Sequence, residues 1–277
     1  MLNAPLGGSI ENVQHDAVHH WTGDPTQPLA EDMGTFSTAA RDPIFFTHHA
    51  NIDRLWTVWE TLPGGDRHPL DDIDFLDAEF EFFDENANLV KVKARDALDN
   101  RKLGIKYAKV KSDKLWIDFS ANVTSNGSAI EYAKQQYGVV EISDGSKPNA
   151  SDILLGEKLV VLVKRPNEVL VNGSKSEVLI VQGIDINRDT FVQLMVFVNL
   201  PDVDHHTSAS CAEFVGIFNV VPTSASQQRI FVNAKFQIGD SLQRIGLDHD
   251  DYIVVTILVK PSDVNVTIKG MTIVYEW

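Results

Sequence analysis

Cysteine is almost absent from this sequence: Cys211 is the only one. That excludes an internal disulfide and any metal cluster built on cysteine ligands. A lone thiol in such a chain is expected to be buried in a β-rich core. Positive charge is also scarce. Twenty-four Lys and Arg stand against 39 Asp and Glu, giving a net charge of −15 and a pI near 4.9. Neither nucleic acid nor an anionic membrane surface is therefore expected as a partner. No apolar run is long enough to span a bilayer. The start, Met1-Leu2-Asn3-Ala4-Pro5, has neither the charged nor the apolar region of a signal peptide. The five Asn-x-Ser/Thr triplets, at Asn122, Asn126, Asn149, Asn172 and Asn265, are accordingly not expected to be glycosylated. There is no internal repeat.

Apolar residues are plentiful. They make up 43% of 277 residues, with 23% charged, enough to bury a core of one large domain or two modest ones. Their spacing changes along the chain. Residues 9–21 and 43–62 carry helical periods. In the second, Asp42 is suited to the N-cap and Pro43 to the first helical position. Ile44, Ile52, Leu55, Trp56 and Trp59 follow at threes and fours, and Pro63-Gly64-Gly65 supplies the stop. Residues 71–85 hold eight acidic side chains and no basic one, with Phe75, Leu76, Phe80, Phe82 and Phe83 among them. This stretch is expected to be a surface segment with apolar anchors into the core. It lacks the Gly-containing regularity of a calcium loop.

Residues 110–152, rich in Ser, Asn, Lys and Gly, read as a linker, with Lys114–Phe119 able to pack locally. From 153 onward the texture is β: LVVLVKRP, EVLIVQGIDI, FVQLMVFVNL, EFVGIFNVV, RIFVNAKF, YIVVTILVK and VTIKGMTIVYEW alternate with Asn, Gly, Pro and Asp. The expected fold is α+β and multi-domain. A helical part over 1–109 and a linker over 110–152 lead to a β-sandwich or jelly roll over 153–277.

Six of the nine histidines lie within the first 68 residues. His15 and His19 are spaced i, i+4, so a helix places both imidazoles on one face, where they can share a metal ion. His48 and His49 are adjacent; side chains about 100° apart on a helix cannot normally both face one ion. Three imidazoles without carboxylate or thiolate suit copper or zinc. Periodicity does not choose between them.

Three segments, HDAVHHWTGDP, EDMGTFSTAARDPIFFTHHANIDRLWTVW and DFLDAEFEFFDENANLVKVKARDALD, resemble plant polyphenol oxidases, the catechol oxidase and tyrosinase group of type-3 copper enzymes. The first two are similar to that family's second copper-binding region. The third is similar to the segment after it, with Asp74-Phe75-Leu76 where the family usually reads Asp-Trp-Leu. VLVKRP, VLIVQGIDINRD and CAEFVGIF resemble the C-terminal shielding domain, although Gln193-Leu194-Met195-Val196 stands where Lys-Phe-Asp-Val is common. Of the family's Tyr-x-Tyr element, Ile105-Lys106-Tyr107 keeps the last tyrosine.

The resemblance implies copper held by His15, His19 and His49, with His48 a structural neighbour and His20 at the entrance. It implies a catalytic environment of Phe36 as a gate over the metal, Glu11 holding a water, and Asp16 where tyrosinase-like members often carry asparagine. Asp53 and Arg54 are read as a structural pair or as support for the ligands, without a catalytic role. The implied reaction is oxidation of o-diphenols to o-quinones by dioxygen, on two copper ions with three histidines each. Only fourteen residues precede His15, so one copper site is expected here, and the chain reads as a C-terminal part with no appreciable activity alone. Expected partners are a small phenol and O2, with the β-domain packed on the copper domain. The implied location is the plastid, in the thylakoid lumen. A non-catalytic binding β-domain with a vestigial helical part and a mononuclear His₃ zinc hydrolase are the competing readings.

Overall fold

The computed structural model describes residues 10–62, 71–111, 120–124, 129–142, 152–166, 176–222, 229–247 and 250–276. Chain packing divides them into two units, one of residues up to Ile52 and from Ser120 on, the other Asp53–Phe119.

The larger unit opens with a π-helical turn, Ile10–His15, that runs directly into α1 (Asp16–Thr22). A looped segment and a 3₁₀ turn at Ala39–Arg41 lead to α2 (Ile44–Glu60), which crosses into the second unit. Asp42 does start α2: its Oδ1 accepts the backbone N–H of Ile44 at 2.9 Å. The Pro63-Gly64-Gly65 stop lies outside the described residues. This N-terminal segment buries little hydrocarbon. Among the described residues, Met33 and Ala39 are its only buried apolar side chains, beside the polar Asp16, His19, Thr35 and His48.

In the second unit, α3 (Ile73–Leu76) is capped by Asp72, whose carboxylate accepts from the amides of Asp74 and Phe75. β1 (Glu79–Phe83) and β2 (Leu89–Lys93) then form an antiparallel hairpin, Glu79 opposite Lys93 and Phe83 opposite Leu89. The expected apolar anchors do not enter a core. Phe75, Phe80, Phe82 and Phe83 are all exposed, and no apolar side chain of this unit is buried among the described residues. Glu79 to Phe82 alternate along a two-stranded ribbon, so Phe80 and Phe82 share one face and Phe83 takes the other, and among the described residues neither face is buried. Lys91 reaches Glu81 at 2.8 Å, and Tyr107 donates its hydroxyl hydrogen to Asp53 on α2.

Residues 110–152 are more than a linker. They contain α4 (Ala129–Tyr137) and β3 (Val140–Ile142), which belong to the β-rich body of the larger unit. Sequence alone conceals α4 because its buried face is two small residues, Ala129 and Ala133, one turn apart, set against Leu162 and Val254. Lys114–Phe119 falls outside the described residues.

The remaining elements are β4 (Ile153–Leu154), β5 (Lys158–Lys164), β6 (Ser176–Asn187), β7 (Val192–Val198), β8 (Phe214–Val220), β9 (Arg229–Gln237), α5 (Gly239–Arg244), β10 (Tyr252–Lys260), β11 (Thr267–Ile268) and β12 (Gly270–Glu276). One sheet runs β3-β5-β10-β7-β8, with β3 parallel to β5 and the rest antiparallel. In the other, β6 is central: it pairs with β12 and β11 on one side and β9 on the other, and β11 pairs with β4. Alternate residues of both sheets, among them Val161, Val196, Val255, Leu179, Val181 and Ile273, meet in a single core, so the body is a β-sandwich. Each such side chain contributes about 1.5–3 kcal/mol by leaving water. The first sheet is also covered on its outer face, by α4 and by Val203 and Cys211 against Met195, Phe197 and Leu258. That double burial leaves β10 buried along nearly its whole length, with Thr256 the one polar residue among Ile253–Val259. Arg165 and Glu177, both largely buried, link β5 to β6 through two N–H···O contacts of 2.7 and 2.8 Å. Among the described residues, no helix is long and apolar enough to cross a membrane.

Candidate metal centre

Four imidazoles converge between α1 and α2. The rings of His15 and His19 are 4.6 Å apart, and those of His15 and His49 are 5.0 Å apart. The two helices bring them there from 34 residues' separation.

Each ring is steered by what its other nitrogen touches. His19 donates from Nδ1 to the Met33 carbonyl at 2.8 Å, and His49 from Nδ1 to the Phe45 carbonyl one turn earlier, also 2.8 Å. His15 Nδ1 lies 2.8 Å from Asp16 Oδ1. A carbonyl or carboxylate can only accept, so in all three rings the proton sits on Nδ1 and the lone pair on Nε2. The Met33 carbonyl reaches His19 because the loop after α1 folds tightly on itself. A Cβ on Gly23 or on Gly34 would each lie 2.5 Å from the Ala30 carbonyl oxygen, so only glycine fits at these close approaches.

This leaves two telling features. His19 Nε2 is buried with no hydrogen-bond partner. His15 Nε2 and His49 Nε2 are 3.1 Å apart, two lone pairs that repel unless a shared proton or a metal ion lies between them. Metal–nitrogen bonds of about 2.0–2.1 Å place two neighbouring ligand atoms about 2.9–3.4 Å apart. The donor set therefore fits a first-row metal ion. Burial is the largest cause holding the His19 ring at about 4, below the usual histidine range, so it is neutral and its lone pair available at neutral pH.

By distance, His48 completes a triad with His15 and His19, since it offers a ring nitrogen within 4.8 Å of theirs. Its Nε2, however, donates to the His15 carbonyl at 3.1 Å, and its ring stacks on His15 with planes 17° apart. His49, for its part, brings its Nε2 to 3.1 Å from that of His15. Burial also lowers the His48 pKa.

Of the other positions implied by the resemblance, Phe36 is at the site, 5.8 Å from the His15 ring and 5.2 Å from His19, and 44% exposed. Asp16 is buried against His15. Glu11 lies on the π-helical turn and is exposed. His20 turns away from the cluster and stacks on Phe191, which follows β6. Burial lowers its pKa. Phe36 also donates its backbone N–H to the Pro222 carbonyl just after β8. Asp53 pairs with Tyr107 rather than serving the cluster. Sequence reasoning missed Met33, which acts through its backbone and leaves no side-chain signal, and Phe191. It also missed Phe45, whose ring is 4.0 Å from that of His49 and whose i−4 spacing was readable.

Comparison with known proteins agrees along the chain. Residues 3–62 match the common central domain of tyrosinase, 69–122 the polyphenol oxidase middle domain, and 152–275 the chloroplastic polyphenol oxidase C-terminal domain. A chloroplastic polyphenol oxidase of Malus domestica is 41% identical over 268 residues, covering 92% of this chain and 44% of the relative. Polyphenol oxidase A1, chloroplastic, of Vicia faba is 37% identical over 287 residues, covering 97% and 46%. The structure of latent apple tyrosinase matches with a TM-score of 0.81 and 36% identity, over 99% of this chain and 57% of that one. The chain thus spans about half the length of the curated relatives it matches. Matched in all three family regions and sharing the fold of a solved relative, the chain belongs to the plant polyphenol oxidase family of type-3 copper proteins.

Proposed function

We propose that His15, His19 and His49 hold one copper ion through their Nε2 atoms, and that the chain supplies one copper site and a shielding domain to a catechol oxidase-type oxidoreductase. The observations that carry this reading are the buried, partnerless His19 Nε2, on a ring 4.6 Å from that of His15 and 5.4 Å from that of His49, and the 3.1 Å between His15 Nε2 and His49 Nε2. Bound there, copper supplies one-electron redox chemistry, so that a pair of such ions matches the two electrons lost when an o-diphenol becomes an o-quinone and O2 is reduced. Among the described residues, one histidine cluster that could hold a metal ion is found, and it centres on His15 and His19. The 277-residue polypeptide by itself is therefore expected to bind one copper and to lack appreciable catechol oxidase activity.

The other residues prepare the site for a phenol. Phe36 offers a ring face beside His15 and His19 against which an incoming phenol stacks. Glu11, on the turn before His15, orients a water near the site. The β-domain covers the entrance through Phe191 on His20 and through the Pro222 contact to Phe36, an arrangement suited to a latent form. The names of the relatives support a plastid location, for which we propose the thylakoid lumen.

The test is metal analysis of the full chain after equilibration with copper and zinc together, followed by oxygen uptake with catechol. One copper per chain, lost in His19→Ala and His49→Ala, is the expected result. Preferential zinc would favour a hydrolase. No metal at all would favour a non-catalytic binding protein. Oxygen uptake above that of His49→Ala would overturn the expectation of an inactive lone chain.

A further inference from the structure

We propose that Asp16 and His48 are positioning residues that grip His15 from two sides, one by its ring and one by its backbone, so that Nε2 is aimed at the metal. The proposal rests on the ligand role given to His15 above. His15 stands at the junction where the π-helical turn becomes α1, so the hydrogen-bond ladder changes its spacing at this residue. A side chain rooted there needs an external reference to hold one orientation.

Asp16 supplies the first. It is only 8% exposed, and a buried carboxylate is costly unless hydrogen-bonded. Its Oδ1 takes the His15 Nδ1–H at 2.8 Å, which fixes the tautomer and resists a ring flip that would exchange the two nitrogens. The same bond commits this oxygen to His15. His48 supplies the second reference, from α2. It is 6% exposed, donates Nε2–H to the His15 carbonyl, and lays its ring nearly parallel to that of His15 at 5.4 Å. One residue thus fixes ring rotation, and the other fixes the backbone and one ring face. This also gives the first histidine of the His48-His49 pair a function distinct from ligation.

Three measurements on the full chain test this. Long-range proton–nitrogen NMR of the apo protein reports the His15 tautomer. Competition with a chelator reports Cu(II) affinity, and EPR superhyperfine structure counts the coordinated nitrogens. Wild type is expected to hold His15 as the Nδ1–H tautomer. Asp16→Leu is expected to mix the tautomers and lower Cu(II) affinity about 10- to 100-fold. Asp16→Asn, whose amide oxygen still accepts, keeps the tautomer with a smaller loss. His48→Gln, with an amide N–H in place of the ring N–H, retains affinity and nitrogen count, while His48→Phe loses affinity by about 10-fold. A fixed tautomer and wild-type affinity in Asp16→Leu would overturn the role of Asp16. Loss of one coordinated nitrogen in His48→Gln would make His48 a ligand and overturn its role. Because the tautomer is read without metal, failure of copper binding and failure of the Asp16 grip are distinguishable.

Discussion

The ring of Phe191 lies flat on that of His20, with centroids 3.5 Å apart and planes 4° from parallel. A residue between β6 and β7 of the sandwich is therefore the immediate cover of a side chain next to the candidate ligand His19. His20 is exposed overall, with one ring face covered by Phe191; Phe191→Ala is expected to open that face too, so that His20 carbethoxylation, followed by peptide mass spectrometry, speeds up. Exposed His205 serves as the internal control and should not change. Equal labelling of His20 in both proteins would show that Phe191 is not the cover.

The loop that carries the Met33 carbonyl to His19 tolerates no side chain at Gly34, where a Cβ would lie 2.5 Å from both the Cβ and the carbonyl oxygen of Ala30. Gly34→Ala should pull the carbonyl from His19 Nδ1 and weaken metal binding by about 10- to 100-fold, as loss of an orienting hydrogen bond generally does. The sandwich, with its separate core, should melt as in wild type. Unaltered metal affinity in the chelator competition would count against the steering role of Met33.

Breaking the Arg165–Glu177 link should be costly. Beyond its two contacts to Glu177, Arg165 donates Nη1–H groups to the carbonyls of Leu247 and Asp250. Glu177→Ala leaves that guanidinium buried without its counter-charge, a loss of about 3–5 kcal/mol. The double replacement Arg165→Met with Glu177→Leu should cost less, because neither charge is stranded. Urea unfolding of both variants checks the order; a single mutant as stable as the double would refute it.

Tyr107 gives a pH signature. Burial, followed by its hydrogen bond to Asp53 and that carboxylate's charge, pushes its hydroxyl up to about 12. The folded state thus favours the protonated phenol. The associated stability is complete below the ordinary tyrosine value of about 10 and is lost as the pH climbs through 12. Ultraviolet titration should show one late tyrosine, and Asp53→Asn should bring it down toward, though not fully to, the ordinary value, since burial remains. A titration unchanged by Asp53→Asn would remove Asp53 from the account.

Much of the sandwich was legible because its strands are long and apolar: every segment read as β from LVVLVKRP onward lies on a strand. What escaped was short or thinly marked. β4 has two residues, and α5 buries little beyond Ser241 and Leu242. The exposure of the phenylalanines on β1 was illegible for another reason, because alternation identifies a face and says nothing of what covers it. At the site, the His15–His19 spacing announced a pair. The distinction between His48 and His49 depends on where α2 meets α1 and on backbone carbonyls common to every residue, so local sequence did not carry it.

The scarcity of buried hydrocarbon in residues 10–62 has a consequence for the life of the protein. Where Met33 and Ala39 are the buried apolar side chains among the described residues, four imidazoles and a carboxylate cluster instead. An ion that ties three of those imidazoles together then acts as the keystone of the segment, and its arrival is a folding event as much as a loading event. Starved of metal, such a polypeptide would keep a sound sandwich while its helical end became the part that proteases find first, so that metal supply would govern how long the helical segment survives.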